Sequence, residues 1–238
     1  MQKDKVIAII PARWGSTRLP GKPLADINGK PMIQWVWEAV KKSDVDEVLI
    51  ATDDQRIFDA VKEFNGNVLM TSNKHQTGTD RILEAYEMFK DRYDYVINVQ
   101  GDEPVINEND INGLITCLKK DRWCIATLVG FLSENQMKDR STVKAFIEDG
   151  NIKAFTRSPI FMTSNYIRRH IGIYGFSKQI AEKINKNVMI ETANEIVESL
   201  EQLRWGDNGI RFTYTVASGR YKGVDTQKDL DRVREFLN

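Results

Sequence analysis

The loop that follows the first apolar run of the chain carries the residues best suited to bind an anion. Residues 11–23 read PARWGSTRLPGKP and combine two glycines and two hydroxyls with three cations, Arg13, Arg18 and Lys22. The glycines allow backbone amides to close around anionic oxygens, and the cations supply charge. The loop is neither a Walker A loop nor a Rossmann fingerprint. A solvated basic surface loop is the alternative, but three cations directly after a core strand favour an anionic ligand.

Two aspartates far apart in the sequence are candidates for a metal site. Asp102 lies in VQGDEP, directly after an apolar run, and Asp225 lies in GVDT near the end of the chain. Two carboxylates at the carboxyl edge of one sheet suit a hard cation with oxygen ligands, such as Mg²⁺. An aspartate after a strand is also common as a turn or N-cap residue, so position alone leaves both readings open.

Other polar side chains carry weaker signals. His75 opens the segment HQTGTDR and has an alternative reading as an ordinary loop histidine. Tyr174 lies in an apolar run, which is typical of a core tyrosine. Glu198 and Gln202 are four residues apart in a predicted helix, so they share one face and could bind hydroxyls together. A solvated helix face is the alternative for this last pair.

The elements that position these residues alternate in type over the first half of the chain. The apolar runs predict strands at Val6–Ile10, Glu47–Ala51, Val68–Met70 and Tyr95–Val99, and helical spacing predicts helices at Met32–Lys42, about Gln55–Phe64 and about Thr79–Lys90. This alternation indicates βαβ units and an α/β fold with a mostly parallel, doubly wound sheet. Ligands of such sheets bind beyond the carboxyl ends of the strands, where the polar loops lie.

The second half of the chain is less regular. Residues 142–155 predict a hairpin around Asp149-Gly150-Asn151. The patterns further predict a strand at Ile171–Phe176, a helix at Glu191–Trp205, a strand at Arg211–Val216 and a closing helix at Asp225–Leu237, with Asp225 or Thr226 near its N-cap. We expect a single domain over residues 1–238, with a small inserted β-rich lobe at about 125–205.

Composition limits the class of protein. Lys plus Arg and Asp plus Glu both number 34 in 238 residues, so no basic field attracts nucleic acid. Cys117 and Cys124 fit no common zinc spacing and are expected to be reduced core thiols. The first apolar run, Val6–Ile10, is too short for a signal peptide or a membrane span. We therefore expect a cytoplasmic protein that does not bind a membrane.

The run IPARWGSTRLPGKPL, with the following NGKPMI, resembles the nucleotide-binding signature of the CMP-KDO synthetases, the 3-deoxy-manno-octulosonate cytidylyltransferases. It shares the R-x-x-S-x-R…K frame with the wider CMP-sugar synthetases. The resemblance implies a nucleotide-diphospho-sugar transferase-like fold in which this loop wraps the triphosphate of CTP. The implied nucleotide-binding residues of the loop are Pro11, Ala12, Arg13, Ser16, Thr17, Arg18 and Lys22. Among them, Arg18 and Lys22 are also implied to be catalytic, with Lys22 nearest the α-phosphate.

Further segments match the same family in the same order. ATDD, HQTGTDR, VQGDEP and GVDT are the matching segments around the predicted sheet edge. The residues that they imply for nucleotide binding are Thr52, Asp53, His75, Gly78, Gly101 and Asp102. Arg81 and Gln100 are implied to reach the sugar acid. Asp102 is implied to be catalytic, as Arg18 and Lys22 are, and Asp102 and Asp225 are implied to hold a catalytic Mg²⁺.

The sugar-binding half also resembles the family. FTRSPI is similar to the family's F-S-R-S-P-I-P segment, and HIGIYGF and ESLEQLR match further segments. The implied sugar-binding residues are Arg157, His170, Tyr174, Glu198 and Gln202. The lobe is implied to contribute a homodimer contact. Residues 161–169, FMTSNYIRR, depart from the pattern, because the segment is shorter and Phe161 and Met162 replace a proline and an aromatic residue.

The resemblance implies that CMP is transferred from CTP to the anomeric hydroxyl of KDO, for lipopolysaccharide or capsule synthesis. The short segment at 161–169 leaves a related acceptor open, either 8-amino-KDO or a nonulosonic acid. A non-catalytic CTP-binding module is disfavoured because Lys22, Asp102 and Asp225 are all present. An enzyme that uses UTP or GTP is weakened by the loop, since such relatives typically carry a longer glycine-rich one.

Overall fold

The computed structural model describes residues 4–16, 18–162, 164–185, 189–219 and 223–238. Its first elements are β1 Val6–Ala12, β2 Asp26–Ile27, β3 Lys30–Pro31, α1 Met32–Lys41, β4 Glu47–Thr52, α2 Gln55–Glu63, β5 Asn67–Met70, α3 Gly78–Glu87, β6 Tyr95–Asn98 and α4 Glu108–Lys120. The later elements are β7 Cys124–Gly130, α5 Glu134–Lys138, β8 Lys144–Glu148, β9 Asn151–Thr156, β10 Ile167–Ser177, α6 Lys178–Ile184, α7 Ala193–Glu198, α8 Glu201–Asp207, β11 Arg211–Val216 and α9 Gln227–Phe236. They divide between two compact units, Met1–Asn112 with Gly219–Asn238, and Gly113–Ser218.

The first unit contains a parallel sheet with the strand order β5-β4-β1-β6. Every one of these pairings is parallel, which confirms the predicted α/β class. The strand β1 is a continuous apolar run, and Ile7, Ile9 and Ile10 are fully buried. Such runs are typical of parallel strands that are covered on both faces.

Helices of the first unit pack their apolar residues on this sheet and on one another. The buried face of α1 consists of Met32, Ile33, Val36 and Val40, which recur at helical spacing. Asp54 is the N-cap of α2, and its side chain accepts a hydrogen bond from the Arg56 amide.

The closing helix α9 is anchored through its N-terminus. Thr226 is its N-cap and forms a capping box with Asp229, so of the two predicted caps the structure selects Thr226. Leu230 and Val233 join a buried cluster with Met32 of α1. Val224, directly before Asp225, belongs to the same cluster, so the position of Asp225 beside the first unit's core is fixed.

The second unit is built mainly from β-strands. Its five strands pair in the order β10-β7-β11-β9-β8, and β10 also pairs with β8. The pairings therefore form a closed circuit, in which only β11 and β7 run parallel. The predicted lobe, at about 125–205, falls within this unit.

The predicted Asp-Gly hairpin is confirmed in the second unit. Strands β8 and β9 are joined by Asp149 and Gly150, and Glu148 pairs with Asn151. Both turn residues have positive φ, 51° and 74°. This is the conformation of a two-residue type I′ turn, for which an Asp-Gly pair is the typical sequence.

Three elements differ most from their predicted bounds. The helix predicted at Glu191–Trp205 is two helices, α7 and α8, because Ser199 takes the left-handed conformation with φ 51° and ψ 51°. That conformation ends a helix, and the Leu200 amide closes the end by donating to the Glu195 carbonyl. The strand predicted at Ile171–Phe176 extends over 11 residues. The helix α3 ends at Glu87, three residues before the predicted end.

Within the described part of the chain, no helix is long and apolar enough to span a membrane.

Cys117 and Cys124 are free thiols, as predicted, with Cys124 buried and Cys117 half-buried. Burial raises the pKa of the Cys124 thiol to about 11. The sequence patterns predicted no elements at 103–141, where the structure has α4, β7 and α5.

Candidate active site

A cavity of about 450 Å³ lies at the carboxyl edge of the parallel sheet in the first unit. Four segments form its wall: the loop after β1, the loop before α3, the turn after β6 and the segment before α9. The lining residues are Pro11, Ala12, Arg13, Gly15, Ser16, Arg18, Lys22, Pro23, His75, Gln76, Thr77, Gly78, Arg81, Gln100, Gly101, Asp102 and Asp225. The cavity thus collects most of the predicted nucleotide-binding residues, both predicted metal ligands and two predicted sugar-binding residues. Thr17 lies outside the described residues.

The loop after β1 is held in a compact shape by its own backbone and by one indole. The amides of Ser16 and Gly21 both donate to the Trp14 carbonyl, at 2.8 and 3.4 Å. Gly21 has φ +66°, and a Cβ there would come within 2.9 Å of the Trp14 ring. The Arg56 guanidinium stacks on the same ring, 3.4 Å from its centroid. Trp14 therefore has a structural role, because it holds the shape of the loop. The sequence patterns did not predict this role.

The two predicted metal ligands converge on one ammonium group. Lys22 Nζ lies 2.6 Å from an Asp102 oxygen and 3.3 Å from an Asp225 oxygen. Arg18 lies 2.9 Å from the same Asp225 oxygen. Lys22 and Asp225 are separated by 203 residues in the sequence. Their proximity therefore follows from the fold, which brings α9 back beside the first loop.

The donor set at this point fits a magnesium ion. Asp102 and Asp225 already share one cation, the Lys22 ammonium. Among the described residues, no third Asp, Glu, His or Cys joins them in a cluster. A hard cation that keeps waters and phosphate oxygens in its coordination sphere needs few protein carboxylates. The residues that would hold Mg²⁺ are therefore these two aspartates.

The turn after β6 must approach the first loop closely. A Cβ on Gly101 would come within 2.8 Å of the Pro11 carbonyl oxygen, so only glycine fits between the two segments. This contact places Gln100 and Asp102 on either side of the close approach. Gln100 donates to the Asn98 side chain at 3.2 Å and lines the cavity.

Arg81 and Asp53 form a buried support for the loop before α3. The Arg81 guanidinium lies 2.6 Å from an Asp53 oxygen and donates to the Thr71 hydroxyl and the Ser72 carbonyl. Arg81 is only 2% exposed, although it reaches the cavity wall. Thr52 is fully buried at the end of β4. The structure thus places Asp53 and Thr52 outside the cavity lining.

Arg157 and Glu198, both predicted for the sugar acid, contact each other in the second unit. The Glu198 carboxylate accepts hydrogen bonds from the Arg157 amide and the Thr156 hydroxyl, both at 2.7 Å. Burial tends to raise the pKa of Glu198, but these hydrogen bonds and nearby cations outweigh it and lower the pKa. The Arg157 guanidinium donates to the carbonyls of Glu198 and Ser141. The pair therefore cross-links three segments of the unit.

Lys144 supports the same corner and is fully buried. Its ammonium donates to the carbonyls of Asp139 and Arg157, at 2.6 and 3.0 Å. Burial lowers the pKa of this group. Nothing in the sequence patterns singled out Lys144, because a lysine in a strand is ordinarily exposed and only packing reveals its burial.

Glu198 and Gln202 line a second cavity, of about 580 Å³, which lies within the second unit. They reach it from α7 and α8, so the argument that they share one helical face is wrong. The break at Ser199 separates their helices. Residues of β9 and β11 form other parts of the wall.

His170 and Tyr174 lie inside an aromatic cluster of the second unit. The rings of Phe155 and Trp205 lie 4.8 Å from His170 and 5.1 Å from Tyr174, between centroids. Burial lowers the pKa of His170 to about 3 and raises that of Tyr174 well above its ordinary value. His170 is therefore neutral at physiological pH and pairs with the Thr127 hydroxyl at 3.0 Å. The sugar-binding roles of both residues stay predictions.

The parallel sheet and the cation-rich cavity at its carboxyl edge define a nucleotidyltransferase. A model of the cytidylyltransferase family matches residues 7–213. The 3-deoxy-manno-octulosonate cytidylyltransferases of Parabacteroides distasonis and Saccharophagus degradans are 42% and 44% identical to the chain, over 98% and 97% of it and 98% of each relative. A solved structure of CMP:2-keto-3-deoxy-manno-octonic acid synthetase complexed with CTP is 38% identical, with a TM-score of 0.92 and 98% of each chain covered. The chain belongs to the 3-deoxy-manno-octulosonate cytidylyltransferase family.

Proposed function

We propose that the protein transfers CMP from CTP to the anomeric hydroxyl of 3-deoxy-manno-octulosonate, with release of pyrophosphate. The observation that carries the proposal is the convergence of Asp102 and Asp225 on the Lys22 ammonium inside the cavity of the first unit. The relative of known structure that shares 38% of the sequence was solved with CTP bound. The reaction forms a bond between the anomeric oxygen and the α-phosphorus and breaks the bond from that phosphorus to the β-phosphate.

The residues of the first loop bind and neutralise the triphosphate. Arg13 and Arg18 are exposed cations on the cavity wall, and the glycine-containing backbone offers amides to phosphate oxygens. The Lys22 ammonium lies next to two carboxylates, and its side chain is only 16% exposed. We assign to it the α-phosphate, where negative charge develops during attack. Arg13 and Arg18 then stabilise the departing pyrophosphate.

Asp102 and Asp225 would hold Mg²⁺ in this reaction. A bound Mg²⁺ supplies neutralisation of the phosphate charge and lowers the pKa of the attacking hydroxyl. With the metal bound, Asp102 and Asp225 would be its ligands, and the Lys22 ammonium, which contacts both carboxylates, would be available to a phosphate oxygen. Positioning and electrostatics account for the catalysis, so neither cysteine has to act as a nucleophile.

The acceptor carries a carboxylate and several hydroxyls. Arg157 is the proposed partner of the carboxylate, and Glu198 and Gln202 are proposed to bind hydroxyls, since both line the cavity of the second unit. Arg81 and Gln100 are the proposed acceptor contacts in the cavity of the first unit. The short segment at 161–169 keeps 8-amino-KDO and a nonulosonic acid as substrates to be compared.

The setting of the reaction follows from the same proposal. CMP-activated KDO would supply lipopolysaccharide or capsule synthesis, and CTP is a cytoplasmic substrate.

We also propose a homodimer, because the second unit exposes apolar side chains that a partner would cover. These are Phe131, Phe161, Met162 and Tyr166, each more than 65% exposed.

Pyrophosphate release by the purified protein with Mg²⁺ and CTP tests the proposal. KDO, 8-amino-KDO and N-acetylneuraminate are compared as acceptors, and UTP replaces CTP in a parallel series. Release with CTP and KDO, and its loss in Asp102→Asn, is the expected result. Release only with another acid would move the acceptor and keep the chemistry. CTP binding without release for any acceptor would support a non-catalytic module.

A further inference from the structure

The indole of Trp14 joins the loop after β1 to the N-terminus of α2. The Arg56 guanidinium lies over this ring, with its central carbon 3.4 Å from the ring centroid. On the loop side, a Cβ at Gly21 would come within 2.9 to 3.3 Å of three atoms of the same ring, so Gly21 packs directly against it. Arg13 and Gly15 are exposed, whereas Trp14 between them is half-buried. The ring is therefore a point at which this exposed stretch of the loop is anchored to a helix.

The Asp54 carboxylate fixes the orientation of the Arg56 guanidinium. Arg56 Nε and Nη2 donate to the two carboxylate oxygens at 2.9 and 2.7 Å. Asp54 is also the N-cap of α2 and accepts the Arg56 amide at 3.0 Å, so the helix end holds the carboxylate in place. The hydrogen bonds from Arg56 lower the pKa of Asp54 and keep it ionised. A bidentate contact along one edge of the planar guanidinium leaves its face for the indole.

Gly21 relates the position of the indole to that of Lys22. Gly21 has the left-handed conformation and is the N-cap of a short 3-10 helix, Lys22–Leu24. Its amide donates to the Trp14 carbonyl, and the Lys22 amide donates to the Leu19 carbonyl at 3.1 Å. The Lys22 side chain then extends to the two aspartates of the cavity. A displacement of the ring would therefore move the residue directly before Lys22.

Stability alone does not account for this arrangement. The Arg56 side chain is 57% exposed, and exposed ion pairs contribute little to the free energy of unfolding. The loop, by contrast, contains two glycines and several exposed side chains, so ordering it around a ligand costs conformational entropy. A contact that restricts the loop before the ligand arrives removes part of that cost from binding. The stack of Arg56 on Trp14 therefore fits preorganisation of the cation-rich loop.

We propose that Trp14 and Arg56 are positioning residues: the stacked pair, held by Asp54, fixes the loop after β1 so that the Lys22 ammonium meets the α-phosphate of CTP. This inference rests on the proposed function, and it adds residues that the sequence patterns did not select. Neither Trp14 nor Arg56 is among the described residues that line the cavity, so both act through the loop and not on the substrate.

Trypsin cleavage of the ligand-free protein reports the order of the loop without any use of activity. Arg13 and Arg18 are exposed and offer two cleavable bonds, while Lys22 precedes a proline and is resistant. Because proteolysis follows the population of the opened chain, we expect Arg56→Ala to raise the rate of cleavage at these two bonds by about tenfold. Mass spectrometry of the first fragments assigns the cleaved bond. A native rate at both bonds in Arg56→Ala would overturn the proposal.

The matched control is Lys62→Ala on the same helix, where the Lys62 ammonium lies over the Phe58 ring, 5.6 Å from its centroid. This change deletes a cation–aromatic contact outside the loop, so it should leave both the cleavage of the loop and the turnover unchanged. A second variant, Asp54→Ser, keeps an N-cap oxygen but removes the bidentate contact, and it should loosen the loop as Arg56→Ala does. Equal acceleration in Lys62→Ala, or a native rate in Asp54→Ser, would contradict the proposal.

Pyrophosphate release tests the link to Lys22. In Arg56→Ala we expect kcat/KM for CTP to fall about tenfold, because displacement of a charge-stabilising group is costly, while the KM for KDO stays native. Trp14→Leu, which removes the ring, should show the same loss. In the Lys22→Met background, Arg56→Ala should have little further effect, since the group that it positions is gone. An equal loss in both backgrounds would show that Arg56 does not act through Lys22.

The same measurements separate the two proposals. A native chain that releases no pyrophosphate with any acceptor would refute the proposed function, and with it the positioning of Lys22. Native turnover that is unchanged in Arg56→Ala and Trp14→Leu would refute only the role of these two residues.

Discussion

Lys22 connects the cation-rich loop after β1 with the two aspartates of the candidate active site. Its ammonium is the cation that both aspartates reach, and its side chain is only 16% exposed. This ammonium holds two like charges close together. Coulomb repulsion between the two carboxylates would otherwise favour their separation.

Lys22→Met should reduce turnover by about 10² to 10³, as for removal of one group that stabilises charge in the transition state. The thermal midpoint should change by only a few degrees, because the side chain is not in the core. The exposed Lys119, in the last turn of α4, gives the matched control Lys119→Met, which should keep full turnover. Steady-state pyrophosphate release measures both variants, and near-native turnover in Lys22→Met would remove Lys22 from the chemistry.

Buried His170 makes a different prediction, on stability rather than turnover. Its pKa is lowered to about 3 from 6.5, so below pH 6.5 the unfolded chain binds a proton that the folded chain does not. His170 therefore does not lower the free energy of unfolding above about pH 6.5. It lowers that free energy increasingly as the pH falls from 6.5 toward 3. Between about pH 6.5 and 5, where most carboxylates stay ionised, the free energy of unfolding should fall by up to about 1.4 kcal/mol per pH unit.

Urea denaturation of the native chain and of His170→Gln, at several pH values in this window, measures the effect. The slope should be much smaller in the variant. Equal slopes in the two proteins would show that His170 is not the source of the pH dependence.

At the scale of elements, turns and breaks decide where side chains arrive. The left-handed Ser199 divides a stretch with helical composition into α7 and α8, and this places Glu198 and Gln202 on separate helices. The positive φ values of Asp149 and Gly150 close the β8–β9 hairpin. In both cases one or two backbone conformations set the geometry of a longer segment.

Gly150→Ala should destabilise the protein by about 1–2 kcal/mol, because an alanine is strained at φ +74°. Gly172 is a matched control, since an added Cβ at either glycine meets nothing within 4 Å and only Gly150 has a positive φ. Gly172→Ala should therefore change the free energy of unfolding by only a few tenths of a kcal/mol. Chemical denaturation compares the two, and equal losses would contradict the role of the turn conformation.

At the scale of the whole molecule, the two compact units carry different parts of the proposed reaction. The cavity of the first unit holds the phosphate-binding cations and both aspartates, and the cavity of the second unit holds Glu198 and Gln202. The balance of 34 basic and 34 acidic residues means that these local clusters, not a net charge, attract the anionic substrates.

Removal of divalent metal by EDTA should stop pyrophosphate release, and Mg²⁺ should restore it, with little change in the circular dichroism of the ligand-free protein. Asp225→Asn should raise the Mg²⁺ concentration needed for half-maximal turnover by tenfold or more, on the order of one lost charged ligand. Asp231→Asn on α9 removes an exposed carboxylate that pairs with Arg234 and should leave this concentration unchanged. Full turnover in EDTA would contradict the magnesium assignment.

Association into a homodimer would double the chain mass of 27.4 kDa. Light scattering coupled to size exclusion should therefore report a dimer at micromolar concentration. The combined change Phe161→Ser and Met162→Ser, at side chains 80% and 77% exposed, should weaken association without unfolding the chain. A native protein that stays monomeric at high concentration would contradict the dimer.

Much of the fold and of the first cavity follows from local sequence. The alternation of apolar runs and helical spacing predicted all four parallel strands and the three helices that follow β3, β4 and β5, because burial of strands and helix faces imposes those periods. The 11–23 loop, HQTGTDR, VQGDEP and GVDT predicted most of the residues that line the cavity. The sequence patterns did not predict the closed order in which the strands of the second unit pair. Most of these strands pair with partners that are distant in the sequence, and hydrophobic periodicity carries no information about which strands pair.

The sequence by itself determined which chemical groups the protein has and the order in which they follow strands and helices. Only the tertiary structure decided that Lys22, Asp102 and Asp225 meet and that His170 is neutral. It also decided that Lys144 is buried. The physical reason is that charge state and proximity depend on what packs around a group, and those neighbours lie up to 203 residues away in the chain.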